Sequence, residues 1–247
     1  MYVNKQRNCY ITEKYEDLSD QFEKLFPDES FIGDDMLINN CNMHFNNDED
    51  FSSLFNSLAL SPVYQQMKWR LHILDYFLDV SLKSDGSYVE CGVFRGFKSY
   101  FLFKRHKDKM NARNKYLFDT FEGIPEKYSD GSPISNDEHR KRSLHEFIIN
   151  RFAEFDKTHI IKGTVPDSLK NVDVTDVSFL HLDMNSWLAE VGALEYFLPR
   201  MCKNSIVVLD DFGLFSHRAQ MNHELPFLRA RGYRILELPT GQGIIHI

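Results

Sequence analysis

Tyr88-Val89-Glu90-Cys91-Gly92-Val93-Phe94-Arg95-Gly96 is the stretch on which the fold turns. Tyr88–Glu90 reads as a short strand, the glycines as a turn, and Phe97–His106 as a helix. The alternation continues downstream. Lys115–Phe118, Thr158–Lys162, Val177–Asp183 and Ser205–Leu209 read as further strands, and helical patterns occupy Leu144–Phe155, Ala189–Met201 and His217–Arg231. Short strands alternating with helices predict βαβ units and a mostly parallel α/β sheet. Tyr233–Leu238 and Gly243–Ile247 flank the turn Pro239-Thr240-Gly241-Gln242, which predicts an antiparallel pair at the C-terminal edge. Open sheets of this kind bind ligands beyond the carboxyl ends of their strands, so the residues just after each strand are the candidates.

Upstream the chain changes character. Pro62 stands where a helix can start, and Tyr64, Met67, Leu71, Leu74, Phe77 and Leu78 share one helical face, which predicts an amphipathic helix over Pro62–Leu82. Residues 1–61 are polar and acidic, with an Asn/Asp-rich run at Asn46–Asp50 and no strand-like alternation. They are expected to form a helical N-terminal extension or lid, with Glu16–Phe26 its best helix, ahead of a single domain over residues 62–247.

The 247 residues carry 29 Lys+Arg against 36 Asp+Glu, a net charge of -7. That balance argues against an electrostatic grip on nucleic acid or an anionic membrane. No run of about 18 apolar residues is present to span a bilayer, and the opening residues lack the apolar core of a secretory signal. Cys9, Cys41, Cys91 and Cys202 are widely separated with no C-x-x-C pair, as expected of reduced thiols in a cytoplasmic protein. The aromatic N-terminal region serves equally well as a lid or as a contact in a homo-oligomer.

Candidate chemistry lies at four strand ends. After the first, Gly92 permits a tight turn and Gly96 lets the next helix sit against the strand. The spacing is E-x-G-x-x-x-G, with Phe94 in a glycine position, which differs from the dinucleotide fingerprint and disfavours a cradled pyrophosphate. Glu90 suits a cationic or hydroxyl-bearing ligand; the alternative is a glycine turn without a ligand. Asp119 lies 23 residues beyond Gly96, close to the ~20-residue separation at which a strand-end acid meets ribose hydroxyls. Alone, such an Asp is equally a helix N-cap. Asp183 and the Asp210-Asp211 pair end two apolar strands, where carboxylates are costly unless paired or bound to something. On adjacent strands they would share one rim and suit a hard cation such as Mg²⁺. Otherwise they cap helices or face solvent. His181 points either to the core or to the rim. His139, His145, His217 and His223 read as surface residues, the last two near the mouth of the acidic loop. Lys141-Arg142 reads as a solvated face, and Trp187 as core cover or a sugar-stacking ring.

These blocks resemble the class I S-adenosylmethionine-dependent methyltransferases, and most closely the macrocin-type sugar O-methyltransferases. LFDTFEGIPE (Leu117–Glu126) is similar to that family's D-S/T-F-E-G-L/I-P segment, Leu182–Glu195 aligns without a gap to a pattern like LDGDLYESTMDALE, and LPTGQGII (Leu238–Ile245) resembles a segment of its relatives. The resemblance runs from Pro62 to Ile247. It implies a Rossmann-like sheet, S-adenosylmethionine as methyl donor, a divalent metal, and a hydroxyl acceptor on a sugar or glycosylated small molecule. Carried over by position, Glu90 and Gly92 would contact the methionine part and Asp119 the ribose. Gly96, Thr120, Phe121, Gly163 and Asp183 would complete the cofactor set. Asp183, Asp210 and Asp211 would hold the metal, with Asp183 also at the base position. Met184 and Asn185 depart from the pattern's Gly-Asp, Trp187 from its Tyr, and KGTVPDSL (Lys162–Leu169) from an expected KGWFKDTLP. All these departures fall on the acceptor or metal side. Two alternatives stand beside this one. A nucleotide-dependent oxidoreductase would need the dinucleotide loop, and a non-catalytic cofactor-binding scaffold would be expected to have lost a rim acid.

Overall fold

The computed structural model describes residues 5–27, 30–34, 36–40, 43–129 and 143–247. Cys41, His139 and Lys141-Arg142, with the polar stretch over residues 130–142, lie outside them. In chain order the elements are α1 (Lys5–Leu25), β1 (Ser30–Gly33), β2 (Met36–Asn39), α2 (Glu49–Leu58), α3 (Pro62–Gln65), α4 (Lys68–Ser81), β3 (Ser87–Cys91), α5 (Phe97–Arg105), α6 (Lys107–Asn111), β4 (Lys115–Asp119), α7 (Leu144–Phe152), β5 (Thr158–Lys162), β6 (Val177–Leu182), α8 (Trp187–Phe197), β7 (Met201–Leu209), α9 (Arg218–Arg229), β8 (Leu236–Glu237) and β9 (Gly243–His246).

The main sheet has the order β5-β4-β3-β6-β7-β9-β8. Its first five strands are parallel, and β9 runs antiparallel between β7 and β8. The chain steps outward from β3 to β5 and then returns to lay β6 on the other side of β3. The crevice of an open α/β sheet forms at such a reversal. Strand alternation divides the core between the two faces. Tyr88, Phe179 and Val208 pack with α2, α4 and α5 on one face, while Val89, Leu180 and Val207 pack with α8 and α9 on the other. Register sets Glu90 opposite His181, and His181 opposite Val208. Two polar residues thus sit beside each other at the switch point, inside an otherwise apolar sheet. Among the described residues no helix is long and apolar enough to cross a membrane.

Two expectations are corrected. The N-terminal region is not only helical, because β1 and β2 pair as an antiparallel hairpin with Phe31 opposite Ile38. Strands of four residues are too short to show alternation, and tertiary contact supports this hairpin, with Phe31 edge-on to Trp69 at 5.6 Å. The helix expected over Pro62–Leu82 is broken into α3 and α4 at Met67. The hairpin explains the break: Asp34 Oδ2 accepts from the Trp69 and Arg70 backbone N–H groups at 2.7 and 3.1 Å. These first-turn donors have no partner within their own helix, and a continuous helix would have used them on preceding carbonyls.

Candidate active site

The carboxyl ends of β3, β4, β6 and β7 open into a cleft of about 1450 Å³, lined among others by Glu90, Gly92, Asp119, Thr120, Gly163, Asp183, Asp210 and Asp211. Its backbone is tightly specified. Gly92 has φ +94°, and a Cβ there would lie 2.0 Å from the Asp183 carbonyl oxygen. Phe94, Phe121 and Asn185 also hold positive φ, at 48°, 53° and 55°. Left-handed non-glycine residues following three neighbouring strands mark strain held in place by their surroundings, and such strain clusters at functional sites.

Asp119 supplies part of that restraint. Its Oδ2 accepts from the Val93 and Phe94 backbone N–H groups, both at 2.8 Å, and its Oδ1 from Phe121 N–H at 2.6 Å. The carboxylate therefore fixes the turn after β3 as well as facing the cleft. Thr120 Oγ1 closes the adjoining turn on the Gly123 carbonyl at 2.6 Å, and Gly163 N–H donates to the Asp119 carbonyl at 2.9 Å. Two candidates lie behind the wall. Phe121 is buried and stacks on His145 at 4.9 Å. Gly96, at φ +67°, makes room for the Phe152 ring, which a Cβ would approach to 2.6 Å.

Glu90 is buried, and its carboxylate accepts from Ser99 Oγ and pairs with His181 Nδ1 at 2.9 Å. His181 lies in the core and spans to Asp210 Oδ1 through Nε2 at 3.3 Å. Burial opposes charge on this imidazole, but hydrogen bonds to Asp210 and Glu90 outweigh it and lift His181 to about 9. Both ring nitrogens are thereby donors at neutral pH.

Asp183, Asp210 and Asp211 do share one rim, and two cations that the sequence reading overlooked share it with them. Lys98 Nζ lies 2.8 Å from Asp183 Oδ2 and 2.5 Å from Asp210 Oδ2. Arg70 Nη1 lies 2.7 Å from Asp210 Oδ2 and 3.5 Å from Asp211 Oδ1, and also donates to the Asp210 carbonyl at 2.5 Å. Burial raises Asp183 to about 7 while Lys98 opposes the shift. For Asp210, burial is outweighed by Arg70 and Lys98, and its carboxyl stays well below the usual range. His181, Asp183 and Asp210 are the one trio among the described residues whose ligand atoms lie within 4.8 Å of one another. They do not fit the expected divalent cation as arranged, because both His181 nitrogens are engaged and Lys98 bridges the two aspartates.

Further groups approach the same cleft. His217, expected at the surface, is buried on the cleft wall with Nδ1 3.0 Å from Ser216 Oγ. His223, expected near the mouth of the acidic loop, is not among the residues that line the cleft; it is exposed and lies flat on the half-buried Trp187, ring centroids 3.7 Å apart. Behind the rim, Glu190 accepts from Met184 N–H at 2.9 Å and Gln220 Nε2 at 2.6 Å, and burial raises its neighbour Glu224 to about 7. Tyr15, Glu16, Ser19 and Asp20 of α1 and Asp34 of the hairpin line the far wall. Arg70 and Lys98 left one trace in the sequence: both occupy the first turn of a helix, where the macrodipole disfavours a cation unless acids face it.

The macrocin-O-methyltransferase (TylF) family model matches residues 69–230. A curated relative from Streptomyces olivaceus, 8-demethyl-8-(2,3-dimethoxy-alpha-L-rhamnosyl)-tetracenomycin-C 4'-O-methyltransferase, is 27% identical over 164 residues, covering 59% of this chain and 60% of the relative. The chain thus matches about 60% of that relative's length. Among solved structures, the calicheamicin methyltransferase CalS11 superposes with a TM-score of 0.60 at 16% identity, covering 81% of this chain and 92% of that one. The O-methyltransferase NovP gives 0.56 at 16% identity, covering 72% and 78%. At such identities the superpositions establish the fold, a class I methyltransferase sheet.

Proposed function

The chain belongs to the macrocin-O-methyltransferase (TylF) family, and we propose that it is an S-adenosylmethionine-dependent O-methyltransferase acting on a hydroxyl of a sugar or glycosylated small molecule. One observation carries this reading: Asp183 stands on the rim of the same cleft whose other wall is the Gly92–Asp119–Gly163 pocket. The cleft is large enough for two ligands, since about 300–1,000 Å³ serves one. The cofactor fits that pocket. Glycine at 92 keeps the wall flat, and beyond the three lone pairs used by backbone N–H groups Asp119 retains one for a ribose hydroxyl.

When bound, S-adenosylmethionine supplies a methyl group on a sulfonium, so that the sulfur leaves as a neutral thioether. The chain must align the acceptor oxygen and take its proton. Asp183 suits the second task. It is about a fifth exposed at the cleft mouth, and burial raises it to about 7, near the working pH at which a general base is most effective. Glu16, Asp20, Asp34 and Asp211 line the acceptor end beside Arg70 and Arg218, an excess of acid that favours a neutral or amine-bearing sugar over a phosphorylated one. α1 and the β1–β2 hairpin serve as the roof of that end. Support comes from α1 and the hairpin, which both line the cleft, and from Asp34, which ties the hairpin to α4.

Titration calorimetry with S-adenosylhomocysteine and with NAD tests the cofactor assignment, and preferential NAD binding overturns it. Incubation with labelled S-adenosylmethionine and a panel of neutral and amino-sugar glycosides tests the acceptor class. Transfer confined to phosphorylated acceptors would refute the second assignment.

A further inference from the structure

We propose that the ammonium of Lys98 takes the place of a divalent cation at the Asp183–Asp210 rim, so that this chain holds its acceptor without a metal ion. The acceptor half of this statement rests on the methyltransferase reading; the cation half does not.

A carboxylate offers about four lone-pair sites, and Asp210 meets four donors. His181 Nε2 and Gln242 Nε2 approach Oδ1 at 3.3 and 3.0 Å, while Lys98 Nζ and Arg70 Nη1 approach Oδ2 at 2.5 and 2.7 Å. No site is left for a cation bound through oxygen. The other two carboxylates are engaged by the same donors, Asp183 by Lys98 at 2.8 Å and Asp211 by Arg70 at 3.5 Å. His181, the remaining ligand type in the cluster, spends its second nitrogen on Glu90.

Lys98 is also where a bridging ion would have to be. Its Nζ lies between one oxygen of Asp183 and one of Asp210, the contact pattern a metal shared by two carboxylates makes. The side chain is 12% exposed and borders the cleft. It projects from the first turn of α5, where the helix dipole disfavours positive charge. A buried cation at a helix start is retained because acids hold it. An ammonium carries three N–H donors, and among the described residues Lys98 has two hydrogen-bond partners. The third is available to the acceptor oxygen. There it would do what a metal does for a hydroxyl, stabilising negative charge on oxygen as the proton passes to Asp183.

The test uses Mn²⁺ as probe, followed by electron paramagnetic resonance on the full chain with S-adenosylhomocysteine present. Wild type should show no saturable Mn²⁺ site. Lys98→Ala, which empties the bridge and leaves the aspartates, should acquire one with affinity at least ~10-fold above wild type, and Lys98→Ala/Asp183→Asn should lose it again. Lys98→Met retains the buried stem and serves if the alanine variant does not fold. A saturable site in wild type that Asp183→Asn abolishes would overturn the proposal. So would a folded, cofactor-binding Lys98→Ala or Lys98→Met that gains no Mn²⁺ affinity. Failure of every glycoside to accept a methyl group would count against the proposed function while leaving the Mn²⁺ result standing.

Discussion

Asp119→Asn separates two roles that one carboxylate combines, anchoring the turn after β3 and facing the cofactor. Asn is nearly isosteric but has one acceptor oxygen. If that oxygen faces Val93 and Phe94 N–H, the amide nitrogen is turned on Phe121 N–H, donor against donor; the opposite flip sacrifices two bonds instead of one. In the better orientation one bond to a charged acceptor is lost, at about 1.5–3 kcal/mol, and two fall from charge-assisted to neutral strength, at about 1 kcal/mol each. Asp119 is half-buried and water relieves part of this, so a net loss of roughly 2–4 kcal/mol is expected. For a chain of this size, that is a fall in Tm of roughly 5–12 °C. Because the left-handed Phe94 depends on the same anchor, S-adenosylhomocysteine affinity should fall by at least ~10-fold. Urea unfolding and calorimetry, run on one preparation, read both quantities. Weakened cofactor binding with an unchanged unfolding midpoint would refute the anchoring argument and leave Asp119 as a ligand contact alone. No change in either quantity would refute both roles.

The remaining predictions concern the rim and the acids behind it. Asp183→Asn should keep the unfolding midpoint and cofactor affinity near wild type while turnover falls at least ~10²-fold, the low end for removing a positioned base. Retained turnover would shift attention to His217, buried on the same wall. Glu224 is raised from 4.5 to about 7 in the fold. The folded state therefore keeps this proton over a range where the unfolded chain has lost it, and the group subtracts stability progressively from about pH 4.5 upward, fully above about 7. Glu224→Gln should be neutral at pH 4 and stabilising by up to roughly 3 kcal/mol at pH 8; an equal effect at both pH values in urea titrations would refute the assignment.

Strand ends were legible in the sequence because each couples an apolar run to an abrupt polar or glycine residue. Glu90-Cys91-Gly92 and Leu209-Asp210-Asp211 are two such junctions, and both fall where the pattern puts them. The antiparallel edge was legible from its turn. What stayed hidden depends on contacts between distant segments. Arg70 and Asp210 are 140 residues apart, and nothing near either announces the other. Lys98 looks like any helix lysine until the neighbouring strands deliver two carboxylates to it. His217 read as a surface residue near the mouth of the acidic loop, and the chain buries it in the cleft wall. The β1–β2 hairpin was missed because its strands are short and its support comes from α4.

The chain Glu90–His181–Asp210 runs beneath the cleft across β3, β6 and β7. Its members have no independent mutational freedom. Replacing His181 with an apolar residue would take one donor from each of two buried carboxylates, leaving Glu90 with Ser99 and Asp210 with Lys98, Arg70 and Gln242, and replacing either acid would leave a charged imidazole with half its partners. Breaking one partner out of such a buried set costs about 3–5 kcal/mol, whereas replacing the whole set with well-packed apolar residues can be neutral. The set extends through Asp210 to Lys98 and Arg70, so sequence drift at all five positions should be concerted. A library randomising positions 70, 90, 98, 181 and 210 together should yield folded variants that no single-site library contains.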